Sequence, residues 1–99
     1  MIAITRIASI APGKTGEAVV FGHQVAKYFK EKYATPLEVL LPIGGNPARI
    51  AWYARYDSLA QWESLTAKML ADKEYMGMVS HHAATFLPGS VHDEIWRTV

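Results

Sequence analysis

Cysteine is absent from this chain of 99 residues, and its absence excludes several kinds of chemistry. Without thiols there can be no disulfide, no thiolate metal site, no iron–sulfur cluster and no cysteine nucleophile. An excess of one charge is also missing, since ten Lys and Arg residues stand against nine Asp and Glu residues. Apart from three lysines on one predicted helix, the basic residues are scattered, which argues against a nucleic-acid partner.

Long apolar runs are missing as well. No run approaches the roughly 18 residues of a membrane span, so we expect no membrane association. The first residues alternate like a strand and lack the basic start of a signal peptide, which predicts a cytoplasmic protein. The length, with 51% hydrophobic residues, predicts that residues 1–99 form one domain.

The spacing of apolar residues predicts the secondary structure. Four segments show the alternation of strands: residues 1–11, 37–45, 48–56 and 90–99. Amphipathic helical spacing covers residues 15–34 and resumes after Ser58, which forms a capping box with Gln61. Asp72 is a suitable cap for a further short helix. The predicted inward side of the second helix consists of Leu59, Trp62, Leu65 and Met69.

The element order β-α-β-β-α-β predicts an α+β, ferredoxin-like fold, with helices on one face of a four-stranded antiparallel sheet. The other sheet face then has no cover of its own. Yet the strand at 48–56 has apolar residues on both of its sides, which is typical of a strand covered on both faces. A second copy of the chain is the simplest cover, so we predict a homodimer.

Residues 48–79 also carry a family resemblance. The run ARIAWYARYDSLAQWESLTAKMLADKEYMGMV is similar to the second half of the NIPSNAP-like proteins, members of the dimeric α/β-barrel superfamily. In that family an aromatic strand ends in a short acidic turn, followed by a helix and an Asp-Pro-Glu-Trp-like element. Asp57 and Ser58 fit the turn, while Asp72 begins the later element, with Lys73 for the proline and Tyr75 for the tryptophan.

The resemblance implies a dimeric α/β barrel but no single activity. The superfamily includes cofactor-free monooxygenases, haem-degrading enzymes, lactone isomerases and proteins without an established activity. Function must therefore be argued from individual residues.

His81 and His82 form the only histidine pair. Neighbouring helix positions point about 100° apart, so the two imidazoles cannot easily hold one metal ion. His82 shares a predicted apolar stripe with Tyr75, Val79 and Phe86, where it is either a structural residue or a ligand or proton-transfer group. Because the other histidines lack metal-ligand spacing, we expect no metal and no cofactor.

Arg6 and Arg55 lie within otherwise apolar strands. A guanidinium in such a position needs a carboxylate, an anionic ligand or water, and Glu38 and Glu94 are the candidate ion-pair partners. Tyr53 lies on the same strand as Arg55. Several aromatic residues either form core or line a pocket for a planar ligand: Trp52, Tyr53, Tyr56, Trp62 and Trp96.

Two functional hypotheses follow, and a third is weaker. In the first, the protein binds a small apolar or aromatic molecule between sheet and helices. In the second it is a cofactor-independent monooxygenase or isomerase, in which His82 or Tyr53 moves a proton and an arginine stabilises negative charge. Binding or degradation of haem at His82 is the third. The candidate ligand-binding residues are Arg6, Trp52, Tyr53, Arg55 and His82.

Overall fold

A four-stranded antiparallel sheet with the strand order β2-β3-β1-β4 forms the centre of the structure, a computed structural model that describes all residues from Met1 to Val99. The elements, in chain order, are β1 (Ile2–Ser9), α1 (Thr15–Tyr33), β2 (Glu38–Leu40), β3 (Arg49–Tyr56), α2 (Leu59–Ala71), α3 (Lys73–His81), a single 3₁₀ turn (Ala83–Thr85) and β4 (His92–Arg97). The predicted ferredoxin-like fold is confirmed. None of the helices is long and apolar enough to cross a lipid bilayer.

The strand register assigns each side chain to one of two sheet faces. Ile4 pairs with Ala54 and Ile95, and these residues share the side covered by the helices, called here the helix face. Thr5 pairs with Tyr53 and Glu94 on the opposite side, called here the open face. Since side chains alternate along a strand, every second residue of β1, β3 and β4 belongs to the same face.

The core lies between the helix face and the helices. Its buried residues form two neighbouring groups: Ile4, Phe21, Val25, Phe29, Ala54, Tyr56 and Leu65, and then Ala8, Ile10, Ala18 and Ile50. Helix α1 approaches the sheet closely at Gly22, whose carbonyl accepts a hydrogen bond of 3.2 Å from the indole Nε1 of Trp52.

The lengths of two strands and the inward side of α2 differ from the predictions. β2 contains three residues rather than the predicted nine of residues 37–45, because Pro42 has no N–H to donate and Gly44 follows soon after. β4 is shorter than residues 90–99, and all six of its residues are exposed. On α2, Leu65 is buried but Leu59 is about half exposed, because it is the first residue of the helix and lies beyond the core.

The predicted helix caps at Ser58 and Asp72 are confirmed. The Ser58 hydroxyl accepts a hydrogen bond of 3.2 Å from the Gln61 backbone N–H, and Gln61 Oε1 accepts one of 2.7 Å from the Asp57 N–H. Asp72 Oδ1 accepts from the Tyr75 N–H at 3.1 Å and caps α3. The chain thus passes directly from α2 into α3 at Asp72, and α3 is held over the sheet.

Candidate functional site

A cavity of about 430 Å³ lies between the helix face and the three helices. Of its 21 lining residues, 17 are hydrophobic, so it is an apolar compartment. The sheet contributes Ile4 and Trp52, α1 contributes Phe21, and α2 and α3 contribute Trp62 and Tyr75. The volume falls in the range of about 300–1,000 Å³ that is usual for small-molecule pockets.

The cavity opens toward the segment that leads into β4. Leu87, Pro88 and Val91 line the cavity, yet each of them is exposed to solvent. Ala83, at the start of the 3₁₀ turn, is also an exposed lining residue. These residues therefore mark the mouth, while buried residues such as Phe29 and Ala54 mark the interior.

Arg6 is the only charged residue that lines the cavity. Its Nε donates to Asp93 Oδ1 at 2.8 Å and its Nη2 donates to Asp93 Oδ2 at 2.9 Å, which makes a bidentate pair. The two residues are direct register partners on β1 and β4. The hydrogen bonds that Arg6 donates to Asp93 are the main reason that the pKa of Arg6 is raised above its ordinary value.

The predicted ion-pair partners of Arg6 were wrong. Glu94 pairs with Thr5 and Glu38 pairs with Tyr53, so both glutamates belong to the open face, whereas Arg6 points to the helix face. Asp93 takes their place because it is one residue away from Glu94, and one residue changes the face of a strand.

Two tyrosines supply neutral hydroxyl groups to the cavity. Burial raises the pKa of both Tyr56 and Tyr75, and the nearby positive charge of Arg6 opposes that rise. Both phenols are consequently protonated at neutral pH and can donate a hydrogen bond to a ligand. Thr66 and Ser80 add two further hydroxyls to the wall.

The candidate residues named from sequence are divided among three places. Arg6 and Trp52 line the cavity, although the indole N–H of Trp52 is already bonded to Gly22. Tyr53 and Arg55 lie together on the open face, where Arg55 Nε donates to the Tyr53 oxygen at 2.7 Å. They do not share a site with Arg6, because the sheet separates them.

His82 lies outside the cavity. It follows the last residue of α3, and its ring centroid is 4.7 Å from that of Phe21. The imidazole instead borders a shallow polar groove between α1 and α3, together with His81 and Glu31. No histidine lines the cavity, and no group of three or more His, Asp or Glu residues is placed to hold a metal ion.

Sequence reasoning missed Asp93 as a site residue. The tripeptide His92-Asp93-Glu94 offers two adjacent carboxylates, and alternation along the strand indicates that they face opposite ways. Which of them faces Arg6 depends on the β1–β4 register, which joins residues 87 positions apart. Tyr75, by contrast, was on the predicted stripe with Val79 and Phe86, and all three line the cavity.

Comparison with solved structures identifies proteins of the same shape. A NIPSNAP domain protein from Burkholderia xenovorans superposes with a TM-score of 0.82 at 14% identity, over 100% of this chain and 95% of the other. A NIPSNAP family protein from Agrobacterium tumefaciens gives 0.82 at 16% identity, over 99% and 85%. A provisionally assigned antibiotic biosynthesis monooxygenase from Nitrosomonas europaea gives 0.74 at 13% identity, over 100% and 99%.

The chain has the fold of the NIPSNAP-domain proteins. That fold extends over the whole chain, although the sequence resemblance rested on residues 48–79. No protein-family model and no curated protein matches the sequence. At identities of 9–16% the similarity shows a shared fold alone. The function is therefore inferred from the residues that line the cavity.

Proposed function

We propose that this protein binds a small apolar or aromatic molecule in the cavity between the helix face and the helices. The observation that supports the proposal is the cavity itself, which is apolar, opens at Leu87 and Val91, and contains a few convergent polar groups near Arg6. Such a combination is the usual form of a small-molecule site.

The expected affinity follows from the apolar surface. A small aromatic molecule that buries about 250 Å² gains roughly 6 kcal/mol from leaving water. Part of this gain is offset by the loss of translational and rotational freedom on binding. We therefore expect dissociation constants of about 40 micromolar or weaker for simple aromatic compounds, and tighter binding only for a ligand that also uses the hydroxyls of Tyr56 and Tyr75.

Binding is favoured over the catalytic alternative by the placement of the candidate proton-transfer groups. A cofactor-independent monooxygenase or isomerase needs such a group within reach of the bound substrate. His82 and Tyr53, the residues considered for this role, lie outside the cavity. The phenols inside it keep their protons at neutral pH, since burial raises the pKa of Tyr56 and Tyr75, so neither can act there as a general base.

We further propose that a second copy of the chain covers the open face. The Trp96 side chain lies on this face because Trp96 pairs with Ala3, and it is 62% exposed. Leu40 of the edge strand β2 is another exposed apolar residue, register partner of Ala51. A large aromatic side chain on an uncovered sheet is typical of a protein–protein contact.

A cavity-blocking variant tests the binding proposal. The probe N-phenyl-1-naphthylamine, a neutral aromatic amine, should become fluorescent when it enters the apolar cavity. Ala83→Trp places a bulky ring at the exposed mouth without disturbing the buried core, and should weaken probe binding about tenfold or more. The matched control is Ala84→Trp, because Ala84 is the adjacent exposed residue and does not line the cavity.

Equal probe binding by the two variants and the unaltered protein would contradict the proposal. Native mass spectrometry of the purified protein adds a direct search for a retained molecule: the mass identifies it, and its absence from Ala83→Trp would show that it binds in the cavity.

A further inference from the structure

The charge balance of the cavity determines which ligands it can attract. Arg6 is the single charged residue on the wall, and an unpaired guanidinium in an apolar compartment would select an anion such as a carboxylate or a sulfonate. In this protein the guanidinium is paired. Nε and Nη2 both donate to the Asp93 carboxylate, whose negative charge neutralises that of the guanidinium.

The strands hold this pair in place. Arg6 and Asp93 are directly opposite each other on adjacent antiparallel strands, and their side chains are only 34% and 24% exposed. An anionic ligand group that approached Arg6 would also approach the Asp93 carboxylate, so attraction and repulsion would largely cancel. A neutral acceptor oxygen is not repelled in this way, and it can accept from the remaining guanidinium N–H groups or from Tyr75.

We propose that Asp93 determines the charge class of the ligand: by keeping Arg6 neutralised, it makes the cavity accept a neutral apolar molecule and reject its anionic analogue. The inference rests on the proposed function, since it concerns the ligand of the same cavity. Asp93 does not line the cavity and acts through Arg6, which makes it a specificity-determining residue.

Glu94 provides a matched control within the same strand. It carries the same charge as Asp93, is its immediate neighbour, and is equally part of β4, but it faces the open side of the sheet beside Thr5. Glu94→Gln and Asp93→Asn therefore remove the same unit of charge from the same strand. Only Asp93→Asn leaves the positive charge of Arg6 without its neutralising partner.

Two probes of nearly the same shape measure the charge preference. N-phenyl-1-naphthylamine is neutral, and 8-anilinonaphthalene-1-sulfonate is the same ring system with one sulfonate. We expect the unaltered protein to bind the neutral probe more tightly. Asp93→Asn should increase the affinity for the sulfonate about tenfold or more relative to the neutral probe, because a free guanidinium then offers charge-assisted hydrogen bonds. Glu94→Gln should leave the ratio unchanged.

The outcomes separate this inference from the proposed function. If Ala83→Trp blocks both probes but Asp93→Asn and Glu94→Gln give the same ratio, the binding proposal stands and the role of Asp93 is refuted. If Ala83→Trp blocks neither probe, the proposed function fails first.

Two further measurements test the inference even if Asp93→Asn does not fold. The ratio of the two affinities in the unaltered protein needs no substitution, and an equal or stronger affinity for the sulfonate would overturn the inference. The double variant Arg6→Met with Asp93→Asn removes both charges together, and it should keep the preference for the neutral probe.

Discussion

At the scale of single residues, Asp72 is the carboxylate with the most partners. Its Oδ2 accepts from the hydroxyls of Tyr28 and Tyr33 at 2.7 and 2.6 Å and from Lys32 Nζ at 2.9 Å, while Oδ1 caps α3. The residue is 7% exposed, so these bonds replace the water that it has lost. Asp72 thus connects the end of α1 to the junction of α2 and α3, the helices that cover the cavity.

The hydrogen bonds to Asp72 predict a pH dependence of stability. The bond from Tyr33, followed by the others, holds the pKa of the Asp72 carboxyl well below its ordinary value. A lowered pKa in the folded state means that this stabilisation is complete above the unfolded pKa of about 3.9 and is lost as the pH falls below it. Asp72→Asn should lower the melting temperature at pH 7 and should flatten its decline between about pH 4 and pH 2.

Thermal melts monitored by circular dichroism across this pH range measure both effects. Asp57→Asn is the control, because Asp57 is exposed and its side chain makes no hydrogen bond or ion pair. A loss of stability in Asp72→Asn that is no larger than in Asp57→Asn would contradict the interpretation of Asp72 as a connecting residue.

At the scale of elements, the packing of α1 on the sheet depends on Gly22. A Cβ atom at this position would lie 3.1 Å from both Ile50 Cδ1 and Val39 Cγ1. Ile50 is completely buried and cannot move aside easily. The small residue allows the helix backbone to approach β3 and to accept the hydrogen bond of Trp52, a residue of the cavity wall.

Substitution of two helical glycines by alanine should therefore have opposite effects. Gly22→Ala gains up to about 1 kcal/mol of helix propensity but forces crowding that costs about 1–3 kcal/mol, so we expect a net loss of stability. Gly77→Ala in α3 has no neighbour within 4 Å of the new Cβ and should stabilise the protein by up to about 1 kcal/mol. Urea denaturation measures the sign of each change in the free energy of unfolding. Stabilisation by Gly22→Ala would mean that the sheet side chains can adjust.

At the scale of the whole molecule, the two faces of the sheet differ in what covers them. The helix face has its own helices and a cavity, whereas the open face carries the exposed Trp96 beside polar residues such as Arg55 and Glu94. Association through the open face would bury Trp96 and leave the mouth of the cavity, on the helix side, accessible. Homodimer formation and ligand binding are therefore compatible within one assembly.

The proposed homodimer predicts the effect of a charged residue at its centre. Trp96→Glu should convert a species of twice the chain mass into the monomer, because burial of a carboxylate costs free energy and the aromatic contact is lost. Leu70→Glu is the control, since Leu70 is 69% exposed but lies on α2, away from the sheet. Light scattering at micromolar concentration measures the mass, and a monomer in the unaltered protein would refute the proposed dimer.

Local sequence alone determined most of the secondary structure and the fold class. Strands show a period of two and helices a period near 3.6, and the caps at Ser58 and Asp72 depend on residues three positions away, so all of these signals lie within one short segment. The order of the elements then leaves the ferredoxin-like arrangement as the prediction. β2 was overestimated because strand ends depend on a partner strand and not only on local pattern.

Only the tertiary structure decided which residues line the cavity. Arg6, Tyr53, Arg55 and His82 all carry suitable chemistry, but the strand register places Tyr53 and Arg55 on the open face and the end of α3 places His82 outside the cavity. The same register, between strands distant in sequence, selects Asp93 rather than Glu94 as the partner of Arg6. A shift of one residue reverses the face of every side chain, and no local pattern contains that information.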